Sequence, residues 1–186
     1  VGLVLLLTAC LGLGAASCFA QSNFLAVAST PYDRQMAPIS PVLNSPTGPL
    51  AGRASLTTIN QWMAGLRAMP YQYSPQWKTP AQVNSEVVAD CKGKAILLYA
   101  ILRARGATRV RFVIGKHHVA DLRTHAWLEW ETTRGTFLLD PTFNSSVELV
   151  GERAPATYVP HYAYDGSRKY RASCYGRRSA AVVASN

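Results

Sequence analysis

Cysteine is scarce in this chain: four residues in 186, at positions 10, 18, 91 and 174. A scaffold built on disulfides needs a denser set, so that class is excluded. Acidic residues are also few, with 10 Asp+Glu against 19 Lys+Arg for a formal net charge of +9. The glycines follow no period and no apolar heptad runs, which excludes collagen and coiled coil. The sequence has no HExxH pair of a zinc peptidase and no GxSxG elbow of a serine hydrolase. Gly93-Lys94-Ala95 lacks the glycine-rich loop that a phosphate site requires. What the chain does have is apolar bulk: 48% hydrophobic residues, including four Trp and nine Tyr. That is enough to bury the core of one domain and too aromatic for a disordered basic tail.

Residues 1–20 carry no charge. Their apolar run, 4–13, is shorter than the roughly twenty residues that span a bilayer, so no integral membrane span is expected. It has the length of a signal-peptide core, and Cys18 and Ala20 supply small residues at the −3 and −1 positions of a cleavage site. The predicted product is a periplasmic or secreted protein starting at Gln21. Leu7-Thr8-Ala9-Cys10 resembles a lipobox, which makes lipid anchoring at Cys10 the minor alternative. After cleavage, only Cys91 and Cys174 remain, and a single bridge between them is one reading of both.

The mature chain divides by composition. Residues 21–54 hold five prolines and three charges and read as an extended arm. Residues 55–166 read as the catalytic domain and 167–186 as a basic tail. Within the domain, Leu56, Ile59, Met63 and Leu66 have helical spacing and stop before Pro70; an aromatic loop through Tyr71, Tyr73 and Trp77 follows. Asp90 then caps a helix that begins at Cys91, is apolar nearly all round over 95–102, and ends at Arg103, Arg105 and Gly106. Such a helix belongs at the centre of a fold. Strands are predicted at 109–115, 125–131 and 136–140, with Gly135 turning the last two into a hairpin, and a short strand at 147–150. Residues 158–175 read as irregular and Tyr-rich. Helices followed by an antiparallel sheet indicate an α+β fold.

The chemistry lies in three positions. Cys91 opens the buried helix, where free backbone N–H groups and the helix dipole favour a thiolate. His125 starts one strand and Asp140 ends the next, so the hairpin brings them to one edge of the sheet. Asp140 then orients the imidazole and His125 takes the proton of Cys91, which is the nucleophile, base and orienter of covalent catalysis. Taken singly, these residues would pass for a buried thiol, a strand histidine and a turn former before Pro141. Three matching residue types at three matching places favour catalysis.

The segment 77–144 resembles the bacterial transglutaminase-like cysteine peptidases. The resemblance rests on Trp77-Lys78-Thr79-Pro80, Asp90-Cys91, Thr124-His125-Ala126-Trp127 and Leu139-Asp140-Pro141, with a further match at Tyr158-Val159-Pro160. It implies a papain-like transglutaminase core and a thiol acyl-transfer enzyme that hydrolyses peptide or isopeptide amides through Cys91, His125 and Asp140. It implies no cofactor. Exported members often bind calcium through the Asp before the cysteine and an acidic residue shortly after it. Here Lys92, Gly93 and Lys94 follow, and two lysines repel a cation that needs several oxygen ligands, so no calcium requirement is expected.

Several secondary expectations complete the reading. The Cys91 amide is one oxyanion donor, with Gln76, Gln82 and Asn84 as candidates for the second. Trp127 and Trp130 face opposite sides of their strand, so at most one lines the cleft. His117, His118, Asp121 and His125 read as loop histidines and not as a metal set. Seven basic residues and no acid fall in 91–120, five more basics in 168–178. The first group reads as a basic rim around the site, which suits an acidic or envelope-associated protein substrate better than nucleic acid. The competing function is an inactive envelope binding module with Cys91 and Cys174 disulfide-bonded.

Overall fold

The computed structural model describes residues 24–49, 55–154 and 156–173; the leader, Cys174 and the last residues lie outside the described residues. The N-terminal segment departs from the expected extended arm. It forms strand β1 (Phe24–Val27), the helical turn α1 (Asp33–Met36), a 3-10 turn (Ala37–Ile39) and α2 (Ser40–Leu43). Pro38 and Pro41 sit in the first positions of their turns, where a missing N–H costs nothing. Met36, Ile39 and Leu43 recur at i, i+3 and i+7 and are all buried in the main core. This segment therefore belongs to the domain.

Ser55 caps α3 (Leu56–Ala68) by accepting a hydrogen bond from the Thr58 N–H, and the helix buries Ile59, Met63 and Leu66. A second helix, α4 (Pro80–Glu86), stands where a loop was expected. Its start is a capping box, in which Thr79 accepts from the Gln82 N–H and the Gln82 side chain accepts from the Thr79 N–H. The central helix α5 (Cys91–Ala104) buries nine of its fourteen residues, in accord with its all-round apolar sequence. Its one buried charge, Lys94, donates to the carbonyls of Arg67 (3.2 Å) and Met69 (2.7 Å) at the end of α3. Those carbonyls have no partner within α3, so the lysine serves as a cap delivered from another helix. The Tyr99 hydroxyl donates to the Leu43 carbonyl at 2.9 Å and ties α2 to the same helix.

The remaining strands are β2 (Val110–His118), β3 (His125–Thr132), β4 (Gly135–Leu139), β5 (Glu148–Leu149), β6 (Thr157–Asp165) and β7 (Arg168–Ala172). They join β1 in one seven-stranded antiparallel sheet of order β1-β7-β6-β2-β3-β4-β5. Phe112, Ile114, Ala126, Leu128 and Leu139 face the helices, while Val113, Trp127, Leu138 and Tyr158 form a smaller core on the opposite face. Residues 167–172 are thus part of the sheet and not of a tail, and the stretch from Tyr158 is a hairpin turned at Asp165-Gly166, where Gly166 has φ +62°.

β2 and β6 meet at a bulge: Ile114 faces Tyr162 but Gly115 faces Pro160, leaving His161 as the extra residue. Proline is tolerated at such a break because the ladder asks no N–H of it. A Cβ on Gly115 would fall 2.1 Å from the Val159 carbonyl oxygen and 2.8 Å from the Pro160 Cα. Gly115→Ala is therefore expected to cost about 3 kcal/mol, because backbone atoms have to move apart. A denaturant titration reads this as a lower midpoint at unchanged slope; an unmoved midpoint would contradict the register.

Candidate active site

Cys91 is the first residue of α5. Asp90 precedes it as N-cap in an extended conformation, its Oδ1 accepting from the Gly93 N–H at 3.0 Å. His125 is the first residue of β3, and Asp140 follows the last residue of β4. The hairpin holds the two ends together, and His125 Nε2 donates to Asp140 Oδ2 at 2.7 Å. With Nε2 engaged, Nδ1 is the nitrogen left to take a further proton, and Cys91 is close enough to help raise the His125 pKa. The structure thus brings all three sequence-predicted residues into one chain of contacts, Cys91 to His125 to Asp140.

The electrostatics favour a charged imidazole. Burial by itself would lower the His125 pKa, but the bond it donates to Asp140 and the neighbouring Cys91 outweigh this and push it up to about 9. Asp140 is fully buried, which raises a carboxyl; the bond from His125, the Thr142 N–H at 2.8 Å and the Tyr158 hydroxyl at 2.9 Å outweigh this and hold it below its usual range. Each Asp140 oxygen therefore has a fixed donor, and the imidazole has a fixed tilt. Aromatic rings complete its surroundings. Phe143 lies 4.9 Å and Trp127 6.0 Å from the imidazole, centroid to centroid, with Trp127 stacked on it.

Tyr158 carries no sequence signature for its role. Its φ of +48° is strained for a non-glycine residue, and it sits between the Lys116–Val159 and His118–Thr157 pairs, with its hydroxyl on Asp140. Burial and then the Asp140 charge raise its pKa, so it stays a donor. Tyr71 was likewise hidden in a stretch read only as an aromatic loop. It pairs with Ala89 in an isolated parallel bridge, and its side chain hydrogen-bonds with Cys91. Burial, followed by the neighbouring Cys91, pushes it up to about 12.

Cys91 and His125 lie in a cleft of about 1030 Å³, walled by Tyr71, Tyr73 and Trp77 on one side and by Leu122, Arg123 and Phe143 on the other. Gln76, Gln82 and Asn84 are not among the residues that line it. Gln82 is spent in the α4 capping box, Gln76 and Gln82 line a separate hollow, and Asn84 is exposed on α4. Trp127 and Trp130 do face opposite sides of β3: Trp127 is fully buried beside Tyr158, and Trp130 packs near Phe137 on the helix side. His117 and His118 end β2 instead of lying in a loop; the His118 N–H donates to Asp121, and the His117 ring packs on Phe143 at 4.3 Å.

The basic rim does not form as expected. Of the seven basic residues between 91 and 120, only Lys92 lines the cleft. Lys94 is buried under α3, Arg103 donates to the Ser45 and Ala107 carbonyls, Arg105 lies over Trp62, and Arg109 and Arg111 pair with Glu131. Sequence proximity to Cys91 concealed that α5 and β2 run away from the site. The Cys91–Cys174 bridge is also unsupported: Cys91 carries a free, buried thiol, and Cys174 lies outside the described residues.

No family profile and no curated protein matches the sequence. Solved structures do. Calcium-bound LapG of Legionella pneumophila superimposes with a TM-score of 0.54 at 20% identity, over 66% of this chain and 71% of that one. The EGTA-treated form of the same protein gives 0.54 at 19% identity, over 63% and 67% of the two chains. A provisionally assigned cysteine protease from Cytophaga hutchinsonii gives 0.42 at 13% identity, over 77% and 66%, too distant to argue from. At these identities the likeness is one of fold. With α5 packed on one antiparallel sheet, this chain shares the fold of LapG and is of the α+β class, consistent with the expected papain-like transglutaminase core.

Proposed function

We propose that this protein is an exported cysteine peptidase that cleaves peptide or isopeptide amides through Cys91, His125 and Asp140. The observation that supports the reading most is the bond from His125 Nε2 to the buried Asp140 carboxylate, with Cys91 and His125 in one cleft and Cys91 close enough to help raise the His125 pKa. The Cys91 sulfur, having given its proton to His125 Nδ1, attacks the carbonyl carbon. The new C–S bond places charge on the carbonyl oxygen, which the Cys91 backbone N–H at the start of α5 can meet. His125 then returns the proton to the leaving amine as the C–N bond breaks. A water molecule, deprotonated by His125, hydrolyses the resulting thioester and restores the thiol. Asp140 stays charged throughout and holds the imidazole.

Export follows from the leader at residues 1–20 and the cleavage pattern ending at Ala20. No helix among the described residues is long and apolar enough to cross a membrane. The substrate is a protein or peptide, reached in the envelope; Arg123 in the cleft suits an acidic side chain near the scissile bond. One of the LapG structures holds calcium, but Asp90 here offers that ion no free carboxylate. Asp90 spends Oδ1 on the Gly93 N–H and Oδ2 on the Ser74 N–H and the Lys92 ammonium, which leaves no carboxylate face for a cation that takes six to eight oxygens.

Iodoacetamide labelling of the mature protein tests the site without a known substrate. Cys91 is expected to alkylate faster than free cysteine in the same buffer, and His125→Ala is expected to slow that rate by about a hundredfold. Slow labelling that rises only in alkali, or labelling that waits for a reductant, would sink the proposal.

A further inference from the structure

One wall of the cleft is a stretch of chain without regular structure, residues 71–77, which sits directly over the start of α5. Its ends are secured. Tyr71 bridges to Ala89, the Gln72 N–H donates to the Ala89 carbonyl at 3.2 Å, and Trp77 is buried in the core. Its middle is held by an ion pair. The Ser74 N–H donates to Asp90 Oδ2 at 3.2 Å, and the Ser74 carbonyl accepts from Lys92 Nζ at 2.9 Å. Lys92 and Asp90 are themselves paired, with only 14% and 4% of their side chains exposed. The same ammonium lies 5.1 Å from the Tyr73 ring centre and 5.8 Å from that of Trp77. Both backbone groups of one wall residue and two of its aromatic side chains thus converge on a pair that flanks Cys91 on either side in sequence.

We propose that Lys92 is a tethered cation which clamps the 73–77 wall onto the N-cap of the helix that begins at Cys91. The chemistry fits an ammonium. It has three donors and is satisfied here by a carboxylate, a carbonyl and aromatic faces. A largely desolvated pair of this kind is strongly destabilised when one partner is removed, because the other charge is left without compensation. Lys92 is then a positioning residue: it sets the distance between the aromatic wall and Cys91, and the clamp owes nothing to free divalent cations. This inference rests on the peptidase reading only for what the wall is used for; the clamp itself is a statement about structure.

The test is amide hydrogen exchange over residues 71–77 in the mature protein, comparing wild type, Lys92→Met and Lys92→Arg. Lys92→Met is expected to speed exchange at Ser74 by about tenfold or more while leaving α3 and β3 protected, and Lys92→Arg is expected to keep the wild-type rate. Neither EGTA nor millimolar calcium should alter exchange or the thermal midpoint of the wild type. Unchanged exchange in Lys92→Met overturns the clamp, as does stabilisation of the wild type by calcium. If Lys92→Met does not fold, the wild-type calcium arm and Lys92→Gln decide the matter in the same way. Peptide hydrolysis adds an independent readout, with KM expected to rise in Lys92→Met and to recover in Lys92→Arg. Exchange does not depend on turnover, so a failed clamp and a failed peptidase assignment give different patterns.

Discussion

Cys91→Ala is expected to lower amide hydrolysis by at least about 10⁴-fold, to the background of the assay. In the proposed reaction the sulfur is the atom that bonds to the acyl group, and among the described residues lining the cleft there is no other thiol. The fold should scarcely notice. Cys91 is small, is 7% exposed and takes no part in a disulfide, so the loss of one sulfur contact costs within about 1 kcal/mol. A fluorogenic peptide library and a calorimetric scan on the same preparation measure both quantities. Hydrolysis retained by Cys91→Ala would end the assignment of the nucleophile, and loss of the cooperative transition would make the inactivity uninformative. Because the alanine variant keeps the cleft intact, crosslinking it in native envelope extract is also the direct route to the substrate.

The second large effect is expected at Asp140. Asp140→Asn keeps the shape of the side chain and removes the charge that sustains a protonated His125, so kcat is expected to fall about 10³-fold with KM changed little. The same pair governs stability against pH. His125 stands at about 9 in the folded protein against 6.5 in the unfolded chain. Its contribution is therefore fully present below pH 6.5 and is lost as pH rises through 9. Asp140 is held below 3.8, so its contribution is present above that value and is lost as pH falls through the folded one. Both act together between roughly pH 4 and 6.5, where the thermal midpoint should be highest. The alkaline decline is worth at most about 3 kcal/mol, and it should flatten in Asp140→Asn. An identical alkaline limb in wild type and variant would separate His125 from Asp140 and remove the orienting role.

The candidate site was legible because each of its three residues also carries a signal of local structure. Asp90 before an apolar run announces a capped helix, and Cys91 stands at its first position whatever lies around it. Val110, Phe112 and Ile114 alternate, Gly135 turns the chain, and the ends of two paired strands must meet. The residues that tune the site were not legible, since they depend on register and loops. Tyr158 reaches Asp140 only through a left-handed residue in β6, and Lys92 finds Ser74 across eighteen positions of chain. Prolines misled the reading at the N-terminus. Pro38 and Pro41 looked like marks of an extended arm, although Met36, Ile39 and Leu43 already showed the helical spacing that buries them. In the same way Thr79-Pro80-Ala81-Gln82 spelled a capping box before α4, and Asp165-Gly166 spelled a hairpin. The error about the basic rim was of another kind: charge counts along a sequence carry no information on which way a helix leaves its first residue.

The strand order has a consequence for how the sheet is completed. β1 pairs with β7, so Phe24 lies beside Ala172, and the first and last described strands are neighbours at one edge of the sheet. Cys91, His125 and Asp140 all fall between them in the chain. Contacts that join distant parts of a chain form late, since the loop between them must be ordered first. A polypeptide that emerges from its N-terminus, whether from a ribosome or through a membrane pore, holds β1 as an unpartnered edge until β7 has followed it. The edge strand β1 thus gains its partner only after Cys91, His125 and Asp140 have all been synthesised.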